Sequence, residues 1–141
     1  MSDNNKILLI AMCTLVLSGC VTTRSCDDNT EVRLIRTQTE FMVNNGIRNY
    51  EDGNYSASMS ILQSLVENRA ATKSEKLLAY KYLAFNHCIS PTESRDTRER
   101  MCRDSFRRAF EINPNFSLTQ AEAGHPVWGP IFSSVRNKMS K

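Results

Sequence analysis

Between Thr72 and Pro91 the chain carries Leu77, Leu78, Tyr80, Tyr82, Leu83, Ala84, Phe85 and Ile89, so a helix here has apolar side chains around most of its circumference. Thr72 followed by Glu75 forms a capping box that starts this helix. Pro91, which lacks an N–H and crowds the preceding turn, ends it near Ile89. A helix with so little polar face belongs at the centre of a fold, covered by neighbours on both flanks.

The neighbours are helical as well. No segment shows the alternation and Val/Ile/Thr richness of a strand, so the chain reads as all-α. A first helix is expected over about Thr30–Glu51, with Val32, Ile35 and Met42 spaced for one face and Asp52–Asn54 as the stop. Asn54 is the expected side-chain cap of the next helix. There Tyr55, Met59, Leu62, Leu65 and Val66 share one face, with Ser56, Ser60 and Gln63 opposite. A fourth helix is expected from near Asp96, with Glu99 in the capping-box position. It buries Cys102, Phe106, Ala109 and Phe110 and leaves Arg100, Arg103 and Arg107 as a basic stripe, either a solvated face or a docking surface for an acidic partner, an anionic lipid or a glycan. Glu99 with Arg103, and Asp104 with Arg108, are the expected i,i+4 pairs. After a polar connection, Pro130 suits the first turn of a last helix that aligns Ile131, Val135 and Met139 and closes one end of the stack.

The start of the chain points to export. Lys6 precedes the apolar run Ile7–Leu17, long enough for a secretory signal and too short for a spanning helix, which needs about 20 apolar residues. The following Leu17-Ser18-Gly19-Cys20 resembles the lipobox of bacterial lipoproteins, which implies cleavage before Cys20 and acylation of that residue. In such proteins an Asp after the cysteine favours inner-membrane retention. Val21 stands there, so the resemblance implies the periplasmic side of the outer membrane. The expected organisation is a signal over residues 1–19, a lipidated N-terminus and linker over 20–29, and a helical domain over 30–141. The formal charge of +3 survives cleavage, because Asp3 and Lys6 cancel in the segment removed. So mild an excess on an exported chain speaks against nucleic acid as a partner.

Two segments carry a further resemblance. Gly53, Tyr55, Ser58 and Leu62 match the turn and second helix of a tetratricopeptide repeat, and Gly46 falls on the small position of its first helix. Cys102, Phe106, Ala109 and Pro114 match a second copy's second helix, with Leu83 and Ala84 as the large-small pair of its first. The chain over about Phe41–Phe116 therefore looks like two tetratricopeptide-like helix pairs. The expected fold is an antiparallel helix-pair stack of about two repeats with a C-terminal capping helix. The turn between the helices of the second pair is longer than the family's.

That longer turn carries Cys88 and Cys102 at the mouth of an antiparallel hairpin, where a disulfide would staple the pair. Two alternatives stand beside it. Cys102 could merely fill the small position while Cys88 is a buried thiol, or the two could bind zinc with His87 and His125, although no metal-site spacing is present. Cys26 is left over.

No nucleophile with a positioned base, carboxylate pair or phosphate loop can be assembled, so neither enzymatic activity nor a cofactor is expected. The tetratricopeptide resemblance implies binding of a protein along the first helices of each pair. By position that face comprises Glu40, Val43, Ile47 and Tyr50 from the first copy and Leu78, Lys81 and Phe85 from the second; the alternative is that several of these are core, covered by the longer first helix or the C-terminal cap. The expectation is a non-enzymatic adaptor for a cell-envelope assembly, tethered to the membrane by its lipid. It resembles accessory lipoproteins of secretion systems, with type VI secretion the narrowest form. The alternative is a lipoprotein that binds peptidoglycan or an anionic glycan through Arg100, Arg103 and Arg107.

Overall fold

The computed structural model describes residues 28–140, so Cys13, Cys20 and Cys26 lie outside the described residues. Those described are all-α, with no strand among them. In chain order the helices are α1 (Asp28–Glu51), α2 (Tyr55–Glu67), α3 (Lys73–Ile89), α4 (Arg95–Ile112), α5 (Gln120–Ala123) and α6 (Gly129–Met139).

The first turn is a Schellman motif. Asn54 N–H donates to the Asn49 carbonyl at 2.8 Å and Gly53 N–H to that of Tyr50 at 3.1 Å, with Gly53 at φ +79°. This corrects the expected role of Asn54. It precedes α2 at φ −82°, ψ 59°, and its side chain makes no capping bond. An N-cap aims its oxygen from the β region, whereas here the motif that closes α1 fixes the backbone elsewhere. The capping box at α3 forms in full: Glu75 N–H donates to Thr72 Oγ1 at 3.2 Å, and Thr72 N–H to Glu75 Oε2 at 2.7 Å. At α4 the cap is Ser94, two residues before the expected start, and its hydroxyl accepts from Thr97 N–H. Glu99 therefore does not close a capping box and instead pairs with Arg95 at 3.1 Å.

α3 is the central helix. It packs on α2 and on α4, and α4 packs in turn on α6. Two apolar cores meet along it. Val43, Leu62, Leu65 and Val66 gather around its Ala79 and Leu83. Phe106, Phe110, Phe116, Trp128 and Phe132 gather around its Ala84, Phe85 and Cys88. Ser58 holds a small position between α2 and α3, where its hydroxyl accepts from Asn86 Nδ2 at 2.9 Å. Gly46 does the same between α1 and α2, since a Cβ there would come within 2.5 Å of Leu62 Cδ2. Cys88 and Cys102 join the α3–α4 pair, with their sulfurs 1.99 Å apart, a disulfide.

Two apolar faces differ from expectation. In α6, Phe132 and Val135 are buried while Ile131 is only partly covered and Met139 is exposed, so the inner face is rotated toward Phe132. Its ring contacts Phe106, Phe110 and Phe116 at centroid distances of 5.2, 5.4 and 5.8 Å. In α1, Thr39, Val43 and Gly46 are buried, whereas Val32 and Ile35 on the same face are exposed. The 13 residues of α2 are too few to accompany the 24 of α1 along its length.

Candidate functional site

α1 and α3 present a shared face because Thr39 on α1 donates its hydroxyl to Glu75 Oε1 on α3 at 3.0 Å. Burial pushes the Glu75 carboxyl up, but hydrogen bonds from the Thr72 backbone, Thr72 Oγ1 and Thr39, with the charge of Arg36, together hold it below its ordinary value. A shallow groove runs beside this bond, lined by Arg36, Glu40, Val43 and Asn44 from α1 and Ser74, Glu75 and Leu78 from α3. Of the residues assigned to the face from sequence, Glu40, Val43 and Leu78 are brought together here. Glu40 is exposed, Leu78 is 40% exposed, and Val43, at 4%, forms the floor. Ile47 packs half-buried against the core beneath.

Further along, the face becomes aromatic and closed. Tyr50 meets Tyr82 and Phe85 at centroid distances of 5.3 and 6.0 Å. Burial pushes the Tyr50 hydroxyl to about 12, with Tyr55, Tyr82 and Glu122 adding unfavourable charge. Trp128 stacks on Phe85 at 4.5 Å and leaves Phe85 only 2% exposed. The Trp128 indole N–H donates to the Glu122 carbonyl at 2.8 Å, so α5 and its following loop hold that lid in place. Phe85 is thus a core residue, not part of an accessible face. Val43 reaches the surface only as a groove floor.

Lys81 is also engaged. Its ammonium lies 2.7 Å from Glu122 Oε1 and 4.7 Å from the Tyr82 ring centroid. Burial favours the neutral form of Glu122, but the hydrogen bond from Lys81, the Thr119 backbone N–H and the Lys81 charge outweigh it and lower its pKa. Sequence reasoning treated this region as a polar connection and missed Glu122 and Trp128. A signal was there, since Thr119 and Glu122 form the same capping box that marks α3.

The basic stripe on α4 is partly neutralised. Arg107 lies 3.2 Å from Asp104 and 3.9 Å from Glu111, while Arg108 pairs with Glu111 at 3.1 Å, so the expected Asp104–Arg108 and Glu99–Arg103 pairs give way to others. Arg103 is half-buried with its Nε unpartnered, and Arg100 is exposed. The sulfurs that a zinc site would need are joined to each other. His87 is pushed down by burial against the opposing charge of Glu93, and His125 lies flat on Trp128 at 3.3 Å. No group of three or more ligating side chains occurs among the described residues.

No helix among the described residues is long and apolar enough to cross a membrane. Comparison with protein-family models, with curated proteins and with solved structures gives no match. The site therefore stands on its own geometry: a small groove with an apolar floor and charged rims, open on the first helix pair and closed over the second.

Proposed function

We propose that the chain is a non-enzymatic adaptor with a tetratricopeptide-like domain, held by acyl groups on Cys20 at the periplasmic side of the outer membrane. There it binds a protein component of a cell-envelope assembly. Its narrowest form is an accessory lipoprotein of a secretion system such as type VI. The observation that carries the reading is the groove in which Val43 and Leu78 offer apolar contact between the charges of Arg36 and Glu40. A desolvated apolar centre inside a polar rim is the arrangement from which protein contacts draw their affinity.

A photo-crosslinking residue at Glu40, activated in living cells, should capture a defined protein. Leu78→Asp should abolish the adduct without altering the helical spectrum, because Leu78 is an exposed helix position. Substituting Arg100 and Arg107 with Ala should leave the adduct intact. An adduct that survives Leu78→Asp and disappears with the arginines would overturn the adaptor reading in favour of an anionic ligand on α4. Acylation of Cys20 is read independently from the mass of the N-terminal fragment.

A further inference from the structure

The first turns of α1 run past the helix on which α1 packs. Val32 and Ile35 continue the face of the buried Thr39 and Val43, yet Val32 is 56% exposed and Ile35 39%. Both open onto a groove shared with Arg36, Thr39, Ala70 and Thr72, at the junction of α1 with the α2–α3 loop. Cations surround it. Arg33 and Arg36 flank the strip on α1, and Arg69 and Lys73 adjoin Ala70 and Thr72 in the chain. All four are exposed, and none forms an ion pair with another described residue. Of the nearby carboxylates, Glu75 accepts from Thr39 and Thr72 and Glu67 accepts from Gln63 at 2.8 Å, while Glu31 and Glu40 on α1 are exposed, so the four cations outnumber the exposed acids beside the strip.

An aliphatic strip rimmed by exposed cations, of which only Arg36 shares its charge with a carboxylate, Glu75, suits a surface that sinks apolar side chains between lipid headgroups while Arg and Lys reach phosphate. We infer that this end of the domain docks on a bilayer containing anionic phospholipid. The inference rests on the proposed acyl anchor for its placement. Val32 follows Cys20 by only 12 positions (32 − 20), at most about 40 Å fully extended, so lipid on Cys20 keeps the strip within reach of the membrane. The anchor then tethers, and the strip with its cations orients.

The test uses the full chain carrying Cys20→Ser, titrated with phosphatidylcholine vesicles with and without phosphatidylglycerol. The apolar segment Ile7–Leu17 is present in every arm and cancels between variants. Binding should prefer the anionic vesicles. Each cation removed should lower that preference about five-fold, so Arg69→Ala with Lys73→Ala lowers it about twenty-five-fold. Val32→Ser with Ile35→Ser should weaken binding to both vesicle types, and because these positions are exposed the helical spectrum should be retained. A preference unmoved by the loss of Arg69 and Lys73 overturns the inference. So does a Val32/Ile35 variant that changes only self-association in sedimentation, which would make a second copy the occupant. Charge-dependent binding together with an unacylated Cys20 in cells refutes the anchor and leaves the surface standing. Acylation with charge-independent binding does the reverse.

Discussion

Replacing Gly46 with alanine sets two effects of known size against each other. In an isolated helix the change stabilises by about 0.8–1 kcal/mol. Here the new methyl would lie 2.5 Å from Leu62 Cδ2 and 2.7 Å from Leu62 Cγ, well inside ordinary contact. Leu62 is fully buried among Val43, Leu65 and Leu83, so its side chain has no open space to enter. Overpacking of this kind costs about 1–3 kcal/mol, which leaves Gly46→Ala destabilising by about 0–2 kcal/mol. Leu62→Ala alone should cost about 2–5 kcal/mol through the cavity it opens. In the double variant the clash is gone, the propensity gain remains and the new methyl enters the cavity. The double variant should therefore be more stable than the sum of the single changes by about 1–3 kcal/mol. Urea unfolding of the four proteins, followed by far-ultraviolet circular dichroism with the disulfide intact, measures this directly. Additivity within about 0.5 kcal/mol, or a Gly46→Ala variant stabilised by the full propensity difference, would refute close contact between α1 and α2 at this point.

Two other predictions concern the second helix pair and the carboxylates. The Cys88–Cys102 disulfide closes a loop with a sequence separation of 14, so Cys88→Ala with Cys102→Ala should lower stability by about 3 kcal/mol. Equal urea midpoints for the oxidised protein and this variant would contradict that. Glu75 and Glu122 both have folded-state pKa values below the ordinary 4.5, so each contributes stability above that pH and loses it as the pH falls through the folded value. Glu75→Gln with Glu122→Gln should therefore be less stable than the parent at pH 7 and converge with it in acid; a constant difference in unfolding free energy across that range would argue against both sets of hydrogen bonds.

What could be read in the sequence followed the range of the forces involved. The capping box of Thr72 and Glu75 and the glycine turn at Gly53 are local, and each forms as local chemistry dictates. The apolar faces of α2 and α4 came through because burial repeats at the helical period: Leu62, Leu65 and Val66, then Cys102, Phe106, Ala109 and Phe110, are all buried, although Tyr55 at the start of α2 is 37% exposed and Met59 only partly covered. Spacing left Phe85 open between the accessible face and the core under the C-terminal segment, and the structure decides for the core: its exposure depends on Trp128, 43 positions later (128 − 85), in the non-periodic connection that follows α4. The same holds for Lys81, since Glu122 reaches it from α5. The ion pairs on α4 shifted because i,i+3 and i,i+4 neighbours on one helix differ by only a few tenths of a kcal/mol, too little for spacing alone to choose a partner. Val32 and Ile35 show the opposite failure: their spacing matches a buried face, but α2 is too short to cover them.

The two helix pairs are consequently unequal as binding surfaces. On the second, α5, α6 and the loop between them occupy the space that an open pair would leave for a ligand, with Trp128 over Phe85 and Glu122 on Lys81. On the first, the outward side of α1 remains uncovered, with Leu34 and Phe41 each 67% exposed. A short helical stack needs its ends shielded, and among the described residues the C-terminal segment shields one end only. Under the proposed adaptor reading, a protein partner draws its contact energy from α1 and the adjoining edge of α3, between the cationic end near Arg36 and the closed aromatic region at Tyr50. That span contains Glu40, Val43 and Leu78 but excludes the arginines of α4. The Lys81–Glu122 bridge, together with Trp128 over Phe85, marks its far boundary, because both close the second pair with groups from the C-terminal segment.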